Sequence, residues 1–546
     1  MSTASRAGGS PTLPTRRGDD TDAIVVGAGH NGLVAANLLC DAGWDVVVCE
    51  ATPHIGGAVR SGRVTAPDFE TDLFSAFYPL AVASPVLRGL DLADYGLRWT
   101  HSPSVLAHVF PDDRCAVLSR DVEQTARSVD EFARGDGDAW RRLVQEWEAV
   151  RQPLLDALFT PLPALGPARR LLASLGAGGA LRMARMAVSP VRRFGEERFD
   201  GAGAPMLLAG NALHADLSPD GAGSAVYGWL LTMLGQSYGF PVPVGGAGRL
   251  TDSMATRLRA KGGSIRLASP VEAIDVQAGS AVGVRLVGGE HLRARRAVVA
   301  DVAAPLLYRE LVGERQLPPR FVRDLDNFQW DPPTLKVNWA LRGRVPWTAD
   351  GARGAGTVHL GVDLDGLTRY AADLATRQVP KAPFLLFGQM TTADASRSPE
   401  GTESAWAYTH LPVGVESSEA VVEAHVRLVE QTLQRHAPGF GDLIVARFVQ
   451  SPGRLHEENP SLIGGAVSGG TAQLHQQLVF RPVPGLGGAS TPIDRLFLGG
   501  ASAHPGGGVH GGPGANAARA ALARAGAFGA GRRKATEALM RRIYRA

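Results

Sequence analysis

The chain has 546 residues, enough for two or more domains around a large buried core. Its 45% hydrophobic and 20% charged content is that of an ordinary globular protein, and a net charge of +3 is too small at this length to argue for nucleic acid. The three cysteines, Cys40, Cys49 and Cys115, form no CxxC pair, which argues against a disulfide redox couple, a thiolate zinc site and a secreted disulfide scaffold.

Residues 1–21 are rich in Ser, Thr, Gly, Pro and Arg and read as a disordered tail. Arg16-Arg17 does not make a twin-arginine leader, because the next apolar run is the first strand of the fold. No apolar stretch approaches the roughly 18 uninterrupted residues of a membrane span, so a cytoplasmic protein is expected.

That first strand is Ala23-Ile24-Val25-Val26, followed at once by Gly27-Ala28-Gly29-His30-Asn31-Gly32 and a helix from Leu33 to Ala42. A second strand, Asp45 to Cys49, delivers Glu50 eighteen residues after Gly32. Each part has a mechanical role in holding a dinucleotide. Gly27 permits the tight turn, Gly29 lets backbone approach a phosphate, and Gly32 lets the helix pack closely. The helix N-terminus offers free N–H groups to the anion, and Glu50 stands where a carboxylate accepts from a ribose hydroxyl.

Three further glycine pieces follow. His54 to Gly62 is a second turn whose Gly56 and Gly57 can close over a diphosphate, with Arg60 neutralising charge; its plain alternative is a flexible loop. Pro243 to Leu250 precedes a helix that Thr251 is expected to cap and Gly262-Gly263 to stop. Strands are expected at 264–267, 271–276, 281–287 and 297–300, the last ending at Asp301. Arg495 to Leu498 is a strand that runs into Gly499 to Gly514, and a helix follows from about Ala515 to Ala525. Gly506-x-Gly508-x-x-Gly511 repeats the glycine spacing, but no second strand and distal acid follow it. One dinucleotide site therefore exists, which favours a flavin protein over a reductase that also binds a nicotinamide.

Two long insertions separate these pieces. Residues 106–243 read as largely helical, with helices near 122–132, 138–158 and 223–236. Residues 311–487 carry strand candidates at 334–341, 384–389 and 406–409 and a helix near 421–436. From Ala157 to Gly195 there is no acidic residue, while six arginines punctuate Leu, Ala, Met and Val. Such a stretch suits transient contact with an anionic membrane surface, or forms a lid whose arginines face solvent. The basic segment 531–546 reads as a solvated terminal helix.

With the four pieces in order, the sequence resembles the phytoene-desaturase-like branch of FAD-dependent oxidoreductases, which includes carotenoid desaturases and isomerases, retinol saturases and relatives of pyridine nucleotide-disulfide oxidoreductase domain-containing protein 2. The carrying segments are Asp22 to Gly57, Pro243 to Leu250, Asn459 to Pro482 and Leu496 to Ala518, with its HPGGGVHG run. The resemblance covers most of residues 22–525. It implies an α/β fold: a discontinuous Rossmann-type FAD-binding domain (22–105, 244–310 and 488–530) with an inserted mixed α+β substrate domain (106–243 and 311–487). FAD would lie extended, with Glu50 on its ribose, backbone near Val271 on the adenine side, and the loop from Gly500 and Ala501 through Gly508 and Val509 at the isoalloxazine. Flavin amine oxidases typically carry Arg-x-Gly-Gly-Arg after the acid, whereas His54 to Ala58 has neither arginine.

The expected reaction is hydride transfer from a hydrophobic isoprenoid, lipid or polyketide-like substrate to flavin N5, with oxygen or a quinone as electron acceptor. The alternatives are cis-trans isomerisation without net redox, amine oxidation and non-catalytic flavin binding. His504 and His510 can serve as base near neutral pH, or can position backbone and pack on the flavin. Asp72 and His214 are weaker candidates for the same role. Phe74, Phe77, Tyr78, Tyr227, Trp229, Tyr238, Phe240 and Trp339 can line an apolar tunnel or pack the core.

Overall fold

Hydrophobic runs in this chain form strands buried on both faces, parallel in one layer and mostly antiparallel in the other, and the computed structural model sorts them into two seven-stranded sheets. It describes residues 20–415 and 418–544. Most of the expected N-terminal tail lies outside the described residues, and Asp20 and Thr21 are already part of the first strand.

The first sheet is the Rossmann-type layer. The strand Asp20–Val26 pairs in parallel with Val46–Cys49 on one side and His291–Ala300 on the other. Ser264–Arg266 and Leu496–Leu498 extend it in parallel, and Val271–Gln277 and Ser280–Leu286 join His291–Ala300 as an antiparallel meander. Three segments remote in sequence thus place their strand ends side by side. The helices His30–Asp41, Gly248–Ala260 and Gly512–Ala525 cover one face, where Leu33, Val34, Ala36, Met254 and Ala517 are buried.

The second sheet runs in the order Ile444–Gln450, Thr334–Leu341, Glu403–His410, Leu385–Gln389, Ala355–Leu360, Ser104–Val109, Cys115–Leu118. All pairs are antiparallel except Ala355–Leu360 with Ser104–Val109. Four of these strands, Ser104–Val109, Cys115–Leu118, Ala355–Leu360 and Ile444–Gln450, have no counterpart in the sequence expectation. Three are interrupted by Gly, His or Arg and Cys115–Leu118 has only four residues, so their alternation is weak. The sheet has two unlike faces. Leu335, Val337, Trp339, Ala405, Ala407 and Phe387 pack under the helix Glu419–His436. Lys336, Asn338, Trp406, Tyr408 and His410 point the other way, toward the helices of the first insertion.

Two further expectations change. Thr251 lies inside the helix Gly248–Ala260, with its hydroxyl donating to Val59 O, and does not cap it. The C-terminal helix Gly529–Ile543 is docked, since Met540 and Tyr544 are buried and the Tyr544 hydroxyl donates to Pro484 O (2.8 Å). Among the described residues no helix is long and apolar enough to cross a membrane.

Candidate cofactor and active site

The fingerprint glycines fold against a single side chain. Gly27 has φ +96°, and a Cβ there would lie 2.7 Å from the Asp301 carbonyl oxygen. A Cβ on Gly29 would lie 2.6 Å from Asp301 Oδ2, and one on Gly32 would overlap the carbonyl oxygen of Gly27. The Gly32 N–H donates to Asp301 Oδ2 (2.7 Å). Burial, reinforced by the charge of Glu50, raises the Asp301 carboxyl to about 7 despite that bond. Only residues without a Cβ can make this turn around the strand end, which is a stricter reason for the glycines than spacing supplies.

Glu50 is buried at the end of its strand. It accepts from Ala28 N (2.8 Å), Thr52 N (2.9 Å) and Thr52 Oγ1 (2.9 Å), so it fixes the turn that would hold the ribose. The backbone of residues 266–270 is stitched beside it: Glu50 N donates to Arg266 O, and Ser269 N donates to Glu50 O. Val271 follows directly, at the start of the strand Val271–Gln277.

The second glycine turn lies on the first. Gly56 bridges Gly29, its N–H donates to Ala28 O, and a Cβ on Gly57 would sit 3.1 Å from Gly29 Cα. Arg60 donates from Nη2 to Glu458 O (2.9 Å), and its guanidinium sits 5.1 Å from the Phe74 ring centroid. Burial lowers its pKa, and its Nε is buried without a partner.

Two helix N-termini converge on this cradle. Neither His30–Asp41 nor Gly512–Ala525 has a side-chain cap or an acidic residue in its first turn. They cross so closely that a Cβ on Gly514 would overlap the carbonyl oxygen of Asn31. Around the crossing, His30 Nε2, Asn31 Oδ1, Arg60 Nε and His504 Nε2 are buried without hydrogen-bond partners among the described residues. Native interiors rarely leave such groups unpaired. Orphaned polar atoms beside two helix N-termini, each with one N–H already taken by Asp301 or His510, fit an anionic, hydrogen-bonding group such as the diphosphate and ring system of FAD.

The C-terminal glycine loop is held in place by Arg481. This buried guanidinium donates to the carbonyl oxygens of Ser468, Gly469, Gly470, Thr471 and Ala501. Gly500 has no room for a Cβ beside Val302 O (2.6 Å), Gly508 has φ +109°, and Val509 packs on the nucleotide core. Asp331, whose pKa burial raises, accepts from Val467, Ser468 and Gly470 N–H groups and anchors the facing segment.

The two candidate histidines differ. His510 Nδ1 accepts from Gly512 N (3.0 Å), and its Nε2 donates to Gly507 O (3.3 Å). Burial lowers its pKa to about 3, so the ring is neutral with both nitrogens committed, and this corrects the expectation of a base at His510. His504 is neutral as well, lowered to about 4 by burial and by Arg481, but its Nε2 has no partner.

The weaker candidates are structural. Asp72 Oδ1 accepts from Ala247 N (2.8 Å) and Ser61 Oγ (2.8 Å), and lies 2.9 Å from the buried Arg397 guanidinium. His214 Nε2 is 2.8 Å from His359 Nε2 inside the insertion, and burial lowers its pKa to about 3. Trp339 lies on the far face of the second sheet, 5.4 Å from Phe440, and lines no space near the loop. Trp229 packs on Trp147 (5.3 Å). Phe77 does face the inner sheet, 6.1 Å from Trp406, which stacks on Tyr408.

Sequence reasoning missed Lys336, Arg481 and the role of Asp301. Lys336 Nζ donates to Asp72 O, sits 5.4 Å from the Trp406 ring, and is lowered by burial to about 7. Its signal was a lone lysine in an otherwise apolar strand. For Asp301 the signal was an acid directly after four apolar residues, the same position Glu50 holds after its own strand.

Residues 32–522 match the family described as flavin containing amine oxidoreductase. The chain belongs to this family. It is an FAD-dependent oxidoreductase. The pyridine nucleotide-disulfide oxidoreductase domain-containing protein 2 of Rattus norvegicus is 29% identical over 544 residues, covering 91% of this chain and 92% of its own. The neurosporene-forming phytoene desaturase of Rhodobacter capsulatus is 24% identical over 511 residues, covering 89% and 91%. Among solved structures, an oxidoreductase from Methanosarcina mazei superposes with a TM-score of 0.60 at 16% identity, over 92% of this chain and 99% of that one, which shows the shared fold.

Proposed function

We propose that this FAD-dependent oxidoreductase removes a hydride and a proton from adjacent carbons of a hydrophobic, isoprenoid-like substrate and leaves a carbon–carbon double bond. The observation that carries the reading is an inner sheet face of Trp406, Tyr408 and Phe77 whose core reaches the glycine loop through Leu80, beside Gly508. The name of the Rhodobacter capsulatus relative supports it.

Bound FAD supplies the hydride acceptor at its N5. Gly27, Gly29, Gly32 and Glu50 hold the adenosine and diphosphate end, Gly56, Gly57 and Arg60 close over it, and Val271 backs the adenine. Gly500, Ala501, Gly508 and Val509 border the ring end. There the N-terminus of the helix Gly512–Ala525 favours negative charge through its dipole. Phe77, Trp406 and Tyr408 keep water from the reacting carbons. His504, with its free Nε2, takes the proton from the neighbouring carbon. In this reading residues 22–105, 244–310 and 488–530 form the FAD-binding unit, the insertions form the cover, and oxygen or a quinone accepts the electrons.

The test is anaerobic incubation of the FAD-loaded protein with detergent-dispersed polyisoprenoids and, separately, with primary amines. Bleaching of the flavin by the polyisoprenoids alone is the expected result. Bleaching by amines alone would assign the site to amine oxidation, and product formation without bleaching or oxidant consumption would assign it to isomerisation.

A further inference from the structure

The helix Leu165–Val188 stands apart from the other long helices among the described residues. Of its 24 residues only Met186 is buried. Its backbone breaks at Gly176 (φ 62°, ψ 175°), giving two helical runs. Both present the same outward set: Leu165, Arg169 and Leu172 in the first, and Leu181, Arg185 and Val188 in the second. Spacings of four and seven residues place each set on one face. Leu165, Leu172, Leu181 and Val188 are 74%, 56%, 74% and 59% exposed.

These residues are not an unfinished core. The helix already uses another face for packing, where Leu171, Leu175 and Met183 meet the helical core of the insertion. The outward leucines are a second apolar row on a helix that needs only one. The helix itself carries four arginines and no acid, whereas Arg192 and Arg193 beyond it are paired with Asp220 and Glu197. Arg170 pairs with Asp156 and Arg185 with Glu197, both outside the helix, while Arg169 and Arg182 form no ion pair among the described residues. Near the first turn, a cavity of about 350 Å³ opens between Pro85, Phe159, Thr160, Arg170 and Arg519. The Phe159 ring lies 5.3 Å from His510 in the glycine loop, so the cavity reaches the wall of the candidate site.

We propose that the helix Leu165–Val188 docks on the surface of an anionic lipid bilayer, with its two apolar rows among the headgroups and Arg169 and Arg182 on the lipid phosphates. The cavity beside Phe159 then opens onto the membrane. The purpose of the docking rests on the apolar-substrate reading, while the surface itself is argued from exposure and charge. An interfacial helix of this kind combines a shallow apolar face with arginines whose stems lie along it and whose heads reach the headgroups. A second copy of the chain is disfavoured as the occupant, because two such faces would bring like charges together.

The FAD-loaded full chain is tested by flotation with vesicles of phosphatidylcholine alone and of phosphatidylcholine containing phosphatidylglycerol. Binding only to the phosphatidylglycerol vesicles, weakened by salt, is expected. The pairs Leu165→Ser with Leu181→Ser and Arg169→Glu with Arg182→Glu should each lower partitioning by about tenfold or more. Val287→Ser, at a 63% exposed apolar site on another surface, should leave it unchanged. No partitioning of the wild type, or equal partitioning of the variants, would overturn the proposal. So would a dimer that the Leu165→Ser, Leu181→Ser variant abolishes, since it would give the face to a second copy. Flavin content verifies the fold of each variant. Turnover of detergent-dispersed substrate is read separately, so failure of the reaction reading leaves the vesicle result interpretable.

Discussion

Asp301 touches all three fingerprint glycines and stands beside Glu50, with its carboxyl raised by burial to about 7. It is neutral in the folded chain over a range where the unfolded chain, with the ordinary value of 3.8, has already lost the proton. Stability from this group is fully present below 3.8 and is lost as pH rises through about 7. The interval corresponds to about 4 kcal/mol in all. Asp301→Asn keeps an acceptor for the Gly32 N–H and removes the titration. Melting temperatures of both proteins near pH 5 and near pH 8 should show a larger fall for the wild type, and parallel curves would refute the assignment. The two loop histidines separate in the same spirit. His510→Ala should lower flavin content, because it removes the bonds to Gly507 and Gly512. His504→Ala should retain flavin and lower the reduction rate by about 10²-fold, the contribution of a positioned base.

At the scale of elements, the site depends on how closely two helices and two loops meet. The crossing of His30–Asp41 with Gly512–Ala525 leaves no space for a methyl group at Gly514. Gly514→Ala should separate the helix N-termini, destabilise the protein by about 1–3 kcal/mol and reduce the FAD-to-protein ratio on purification. Arg481 joins the segment 468–471 to Ala501 through one buried guanidinium. A lysine presents a single point of charge and cannot span these carbonyls, so Arg481→Lys should also release flavin, read as free FAD after gel filtration. Retention of flavin in both variants would contradict the cradle as described.

Across the whole molecule, the two sheets are tied together by a buried network rather than by apolar contact alone. Arg397 lies between Asp72 and Asp394, and those carboxylates accept from Ala247 and Gly245 in the third glycine piece. Arg397→Leu leaves two buried carboxylates unpaired and should cost about 3–5 kcal/mol, seen as a lowered melting temperature. This network also explains what the sequence could convey. Local features were legible: the strand Thr334–Leu341 has the expected bounds, and the glycines at 27, 29 and 32 stood out by spacing. Contacts between distant segments were not. Nothing in the neighbourhood of Asp301 announces that it will lie on Gly29, and nothing near Arg481 reveals five carbonyl partners. His510 looked like a base because its ring is titratable, and only the fold shows both nitrogens occupied. Trp339 could line a tunnel or pack the core, and strand alternation alone does not say which; the structure packs it on Phe440.

The dehydrogenation itself is tested most directly by a single anaerobic turnover of the FAD-loaded protein on a detergent-dispersed polyisoprenoid, with the product weighed by mass spectrometry. One product molecule lighter by two hydrogens for each flavin reduced is the predicted result. A product of unchanged mass, or flavin that stays oxidised while substrate is consumed, would contradict it.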